Sequence, residues 1–131
     1  MSFVWRNFLE LAKSLPKNNE TEQRTAISRA YYAVFCTARD LLINSNISVP
    51  SNVDSHSRVR ELYELSGDYD SKKISQTLDR LRLSRNSADY DTTYDGDLEK
   101  AALRDISRSE KALQLIHGFP EKIIDEIRQN S

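Results

Sequence analysis

The segment Leu81 to Asp91 reads Leu-Arg-Leu-Ser-Arg-Asn-Ser-Ala-Asp-Tyr-Asp and gathers the residues best suited to handling an anion. Ile74, Leu78, Leu81, Arg85 and Ala88 are spaced 4-3-4-3, which places them on one stripe of an α-helix. Arg85 therefore falls on the face that such a helix buries. A guanidinium keeps its proton, so it needs a carboxylate, a polar cleft or an anionic ligand there. Asp89, one turn on, is the expected internal partner. Asn86 and Tyr90 form the adjacent i, i+4 pair, and Arg82 adds a second cation one turn earlier.

The surrounding charge is polarised. Lys72, Lys73, Arg80, Arg82 and Arg85 face one acid, Asp79, across Lys72–Arg85, whereas Asn86–Glu99 holds Asp89, Asp91, Asp95, Asp97 and Glu99 and no base. A solvated helix followed by an acidic turn explains such a run, and an anion site with Arg82 and Arg85 at its positive end is the sharper reading. The formal net charge of the whole chain is -1, so no global basic field advertises nucleic-acid binding.

Other chemistries fit poorly. Two histidines, His56 and His117, and the single Cys36 do not make a standard structural zinc site, and both histidines read as surface or helix-terminal residues. The carboxylates from Asp89 to Asp97 lack the spacing of a calcium loop. No phosphate-binding glycine loop, dinucleotide fingerprint or hydrolase triad is present, and no cofactor is expected. Cys36 lies in an apolar helical stretch, where a buried reduced thiol suits a cytoplasmic protein. The first residues do not read as a signal peptide, and no apolar run approaches membrane-spanning length.

The elements that must position the polar cluster are helical. With 131 residues, 30% charged residues, three glycines and three prolines, the chain reads as one all-α domain over 1–131. Helix one is expected over about Phe3–Leu15, with Trp5, Phe8, Ala12 and Leu15 on one face and Pro16 closing it. Asn19 and Glu22 suggest a capping box for a long helix two over about Glu20–Ile43, with Ile27, Ala30, Tyr31, Val34, Ala38 and Leu41 inward. A Ser/Asn-rich loop leads to a short helix near Ser55–Leu65, ended by Gly67. Helix four covers about Ser71–Ala88 and helix five about Leu98–Ile116, N-capped by Asp97 and closed by Gly118. A last helix opens at Pro120. Helices one, two, four and five are long enough for an antiparallel four-helix bundle with additional short helices.

Three segments together resemble the HEPN superfamily of small helical domains. They are Glu22–Phe35 with its Ser-Arg-Ala-Tyr-Tyr-Ala run, Ser55-His56-Ser57, and Arg85-Asn86-Ser87-Ala88-Asp89-Tyr90-Asp91. The resemblance implies a four-helix core, usually paired as a homodimer. It also implies a metal-independent ribonuclease cleft in active members, where an arginine is followed four to six residues later by histidine. Arg85 and Asn86 match the family positions, and Tyr90 stands where histidine would be.

That departure bears on the chemistry. Imidazole suits proton transfer near neutrality, whereas a phenol has a reference pKa of about 10. Two readings of the resemblance follow. One is an RNA-directed protein of toxin–antitoxin or defence type, with Arg85, Asn86 and Tyr90 catalytic, Arg82 and Arg85 on phosphate, and Asp89 in support. The other is a catalytically inactive module that binds RNA or nucleotide, or partners a nucleotidyltransferase. Against both stands a purely structural role, with Arg85 on Asp89 and the Tyr90 hydroxyl on nearby backbone.

Overall fold

Pro16, Gly67 and three acidic or amide caps set most of the helix boundaries. Leu15 precedes the proline and is extended (φ -61°, ψ 135°), because the proline ring disfavours helical geometry in the residue before it. Asn19 accepts a hydrogen bond from the Glu22 N–H at 2.9 Å, and Glu22 Oε1 accepts from the Asn18 N–H at 3.0 Å. The reciprocal arm of the expected capping box thus closes one residue earlier than in the usual motif. Asp68 and Asp97 cap two further helices by accepting from Asp70 and Ser71, and from Lys100. Gly67 takes a positive φ of 77°, which lets the chain turn from Ser66 into the Asp68 cap.

The resulting computed structural model describes residues 2–130. Its helices are α1 (Arg6–Ser14), α2 (Glu20–Asn44), α3 (Ser55–Leu65), α4 (Tyr69–Tyr90), α5 (Leu98–Gly118) and α6 (Pro120–Asn130), and the described residues contain no strand. The fold is all-α, as the composition implied. Helix one starts three residues later than its apolar pattern suggested, because Phe3 and Trp5 pack edge to face (5.0 Å between ring centres) ahead of the helix. Helix four starts at Tyr69 and runs on to Tyr90, so Asp89 and Tyr90 are still helical. Helix five extends through Gly118, and Phe119 rather than glycine ends it.

Side-chain contacts fix the directions of the long helices. The N-terminal part of α2 meets the C-terminal end of α4 through Arg24 with Ala88 and Ser28 with Asp89. Trp5 reaches Asp40 at 2.7 Å while Ala12 packs with Ile27, so α1 also runs opposite to α2. Ile27 shares a cluster with Ala101 and Ala102, and Ser109 donates to the Ala30 carbonyl at 2.9 Å, so α2 and α5 run parallel. The core, with Leu9, Tyr31, Val34, Leu42, Leu78, Leu81 and Leu113 fully buried, forms around α2. Cys36 lies in it, and burial pushes its thiol pKa up.

The short helices close the remaining side. Ser75 donates to the Arg60 carbonyl at 2.9 Å and Arg60 pairs with Asp79 at 3.7 Å, which seats α3 on α4. Lys122 meets Asp68 at 3.2 Å and Asn130 donates to the Ser66 carbonyl, holding α6 against the α3–α4 turn. No helix among the described residues is long and apolar enough to cross a membrane.

Candidate functional site

Arg85 is buried, with 8% of its surface exposed, as the helical stripe required. Its expected partner is elsewhere. No carboxylate among the described residues lies within salt-bridge distance of Arg85, while Asp89 is exposed and accepts from Ser28 Oγ at 3.2 Å. The geometry explains this correction: Arg85 points into the α2–α4 seam, whereas Asp89 sits at the rim beside buried Ser28.

Aromatic rings surround the guanidinium instead. Its central carbon lies 5.2 Å from the Tyr31 ring centre, 5.4 Å from Tyr32 and 5.9 Å from Tyr90. Such stacking stabilises a cation by about 0.5 to 2 kcal/mol per contact, yet satisfies none of its N–H donors. Arg85 Nε is fully buried and has no hydrogen-bond partner, and Arg82 Nε is in the same condition. Arg82 retains one ion pair, to Asp79 at 3.4 Å. Both residues of the sequence-predicted pair therefore carry a buried, unpaired Nε on α4.

Tyr90, the last residue of α4, is 74% exposed, and its hydroxyl has no partner among the described residues. It flanks Arg85 without capping any backbone group. Asn86 is half-buried on the adjoining face of the helix and makes no side-chain hydrogen bond among the described residues.

Arg24 holds this end of α4 in place. Its Nη1 donates to the carbonyls of Ser87 (3.3 Å), Ala88 (2.9 Å) and Asp91 (2.7 Å). The last carbonyls of a helix have no intrahelical donor and carry the negative end of its dipole, so a cation there stabilises the terminus. In the fold Arg24 positions the segment that carries Arg85, Asn86 and Tyr90. Together with Thr25, Ser28, Arg29, Ala88 and Asp89 it lines a groove of about 500 Å³ at the α2–α4 rim. Arg29, in turn, lies over Phe8 (4.5 Å) and Tyr32 (5.1 Å).

His56 is helix-terminal, as one of its two sequence readings had it, but it is half-buried and belongs to the same constellation. It occupies the first turn of α3, half-buried and stacked on Phe35 with ring centres 4.2 Å apart. Its Nδ1 shares a hydrogen bond with the Tyr31 hydroxyl. Tyr31 thus contacts Arg85 with its ring face and His56 with its hydroxyl. Burial lowers the His56 pKa, and the charges of Arg85, Arg82, Arg60 and Arg39 lower it further. Burial raises the Tyr31 pKa well above the ordinary phenol value, against the opposing pull of Arg85. A neutral imidazole and a protonated phenol are the resulting pair at pH 7. The signal for His56 was present in Ser55-His56-Ser57, but a separation of 25 positions from Tyr31 hid their meeting. No group of three or more His, Cys, Asp or Glu side chains suited to a metal converges among the described residues.

The HEPN domain model matches residues 6–127, nearly the whole chain and all of the elements just described. The chain belongs to the HEPN family. No curated protein and no solved structure matches it. Family membership agrees with the six-helix all-α architecture. In this HEPN domain the arginine of the resemblance is buried and unpaired, tyrosine occupies the later position, and an imidazole reaches the cluster from α3.

Proposed function

We propose that this HEPN protein acts on RNA of a toxin–antitoxin or defence system, binding a backbone phosphate at Arg82 and Arg85 and cleaving beside it without a metal ion. One observation supports this reading above the others. A guanidinium that is 8% exposed and has no carboxylate partner is costly in an apo protein, and a phosphate meeting its outer nitrogens would offset that cost. The aromatic rings around Arg85 lower the local dielectric, which strengthens its attraction for the charge that develops on a phosphorane. A homodimer that sets two Arg85 clefts face to face would double that charge, and the exposed Tyr90 and half-buried Asn86 would line its mouth.

Binding without cleavage is the second reading, favoured by tyrosine at the position where the resemblance expects histidine. Incubating purified protein with RNA in EDTA, alongside filter binding over a salt series, separates the two. Cleavage lost in Arg85→Ala supports the first reading. Salt-dependent binding of RNA that stays intact supports the second. Protein that neither cuts nor retains RNA at low salt sinks both and turns attention to a protein partner such as a nucleotidyltransferase.

A further inference from the structure

We propose that His56 is the proton-accepting catalytic residue of the Arg85 cleft, working through Nε2 while Tyr31 holds its Nδ1. The proposal rests on reading that cleft as an RNA-cleaving site, and it assigns the role that Tyr90 is chemically poor at filling. Three geometric observations converge on it. His56 and Arg85 flank the same two rings: the imidazole lies 5.7 Å from Tyr31 and 6.3 Å from Tyr32, and the guanidinium 5.2 and 5.4 Å from them. The imidazole is held on two sides, stacked on Phe35 with an interplanar angle of 12° and hydrogen-bonded at Nδ1 by Tyr31. Its Nε2 makes no hydrogen bond among the described residues and is reached by solvent.

An imidazole fixed at one nitrogen and free at the other is the arrangement general-base chemistry needs. In the competent tautomer Nδ1–H donates to the Tyr31 oxygen and Nε2 offers its lone pair. The ribose 2′-hydroxyl gives its proton to Nε2 as its oxygen bonds to the adjacent phosphorus. The bond from phosphorus to the 5′-oxygen breaks, and that oxygen takes a proton from water. The products are a 2′,3′-cyclic phosphate and a 5′-hydroxyl, and His56 returns its proton to solvent. Arg85 and Arg82 stabilise the phosphorane throughout.

The charged and titratable groups that face the ring favour its neutral form. They are Arg39 from α2, Arg60 from α3 itself, and Arg82 and Arg85 from α4, while Tyr31 and Tyr32 of α2 face the ring with their own aromatic rings. The lowered pKa of His56 favours the unprotonated base at neutral pH and places the acidic limb of a rate profile below the ordinary histidine value.

The test compares wild type, His56→Gln and Tyr31→Phe on a short RNA in EDTA. Each is also tested for binding to the same oligonucleotide with 2′-deoxy sugars, which cannot be cut by this route. His56→Gln is expected to slow cleavage about 100-fold or more and to abolish the acidic limb, while binding to the deoxy analogue changes less than about threefold. Tyr31→Phe keeps the ring stack and is expected to move that limb, with folding checked by thermal melting. Undiminished cleavage by His56→Gln overturns the role of His56 and leaves the RNA reading standing. Joint loss of cleavage and analogue binding by that variant also overturns it, because the residue would then only shape the site. Wild type that binds the analogue but never cuts RNA refutes the role and reduces the reading to binding alone. Wild type that does neither refutes both.

Discussion

Arg6, Arg24 and Arg85 of this HEPN domain each reach across to another helix, and they end in three different environments. Arg6 on α1 meets both carboxylate oxygens of Glu110 on α5, each at 2.8 Å. Arg24 on α2 is spent on backbone carbonyls at the end of α4. Arg85, the most buried of the three, has only aromatic faces. Structural cations in a fold are matched by an acceptor because desolvating a charge without one costs several kcal/mol. Arg6 and Arg24 obey that rule and Arg85 does not, although Asp89 is only one turn away. The proposed phosphate contact would supply Arg85 with the acceptor that the other two already have.

The largest effect that sharpens this contrast is on binding. Arg85→Ala should weaken RNA retention by about 30- to 100-fold, the value of a lost charge-assisted contact in a water-poor site. Arg85→Lys should recover little, since lysine cannot reproduce the planar fork stacked among tyrosines. Electrophoretic mobility shifts at fixed salt would check both. Equal binding by Arg85→Ala would erase the distinction between the three arginines.

Next in size is Arg24→Ala, expected to cost about 1 to 2 kcal/mol by exposing carbonyls at the α4 terminus. Hydrogen exchange should then accelerate from Ser87 to Asp91 ahead of the rest of α4. Uniform loss of protection along the helix would mean that Arg24 supports the whole domain rather than this end. Arg85→Met tests the opposite sign. Replacing an unpaired buried cation with an apolar chain of similar length should leave stability unchanged or raise it by about 1 kcal/mol, measured as a shift in denaturant midpoint. A clear loss of stability would show that the aromatic cage alone makes Arg85 structural.

The sequence made the scaffold readable because helix periodicity, caps and stops are local. Apolar spacing identified the helices, and Asn19, Asp97 and Pro16 marked ends that the fold keeps. Arg85 was also legible, since its place on an apolar stripe follows from the residues within four turns of it. What could not be read was pairing across the chain. Asp89 looked like the partner of Arg85 because both lie on one helix, but Ser28 on α2 captures it. His56 is at a helix terminus, as it reads, but nothing near it in sequence discloses its contacts with Phe35 and Tyr31. The burial of Asp105 on α5 was likewise not legible, although its cations, Arg104 (3.2 Å) and Arg108 (3.4 Å), are its neighbours on the same helix.

Two ionisable groups with lowered pKa values give the smallest effects and divide the acid response between the two regions. For His56 the folded value is below the unfolded one, so the unfolded chain binds the proton more readily. Its contribution to stability is full above about pH 6.5, the unfolded reference, and is lost as pH falls towards the folded value. For Glu110 the hydrogen bond from Arg6 lowers the folded value, outweighing burial. That contribution is full above the ordinary glutamate value and is lost only in stronger acid, and such a surface pair contributes about 1 kcal/mol or less. His56→Gln should therefore flatten the stability profile between about pH 7 and 5 and leave the steeper acid limb intact. Arg6→Met should do the reverse, lowering stability at neutral pH slightly and making it less sensitive below about pH 4.5. Urea melts across that range would read both slopes. If His56→Gln left the slope between pH 7 and 5 unaltered, the arginines of the α2–α4 seam would not be acting on His56. The cluster would then be two neighbouring features rather than one site.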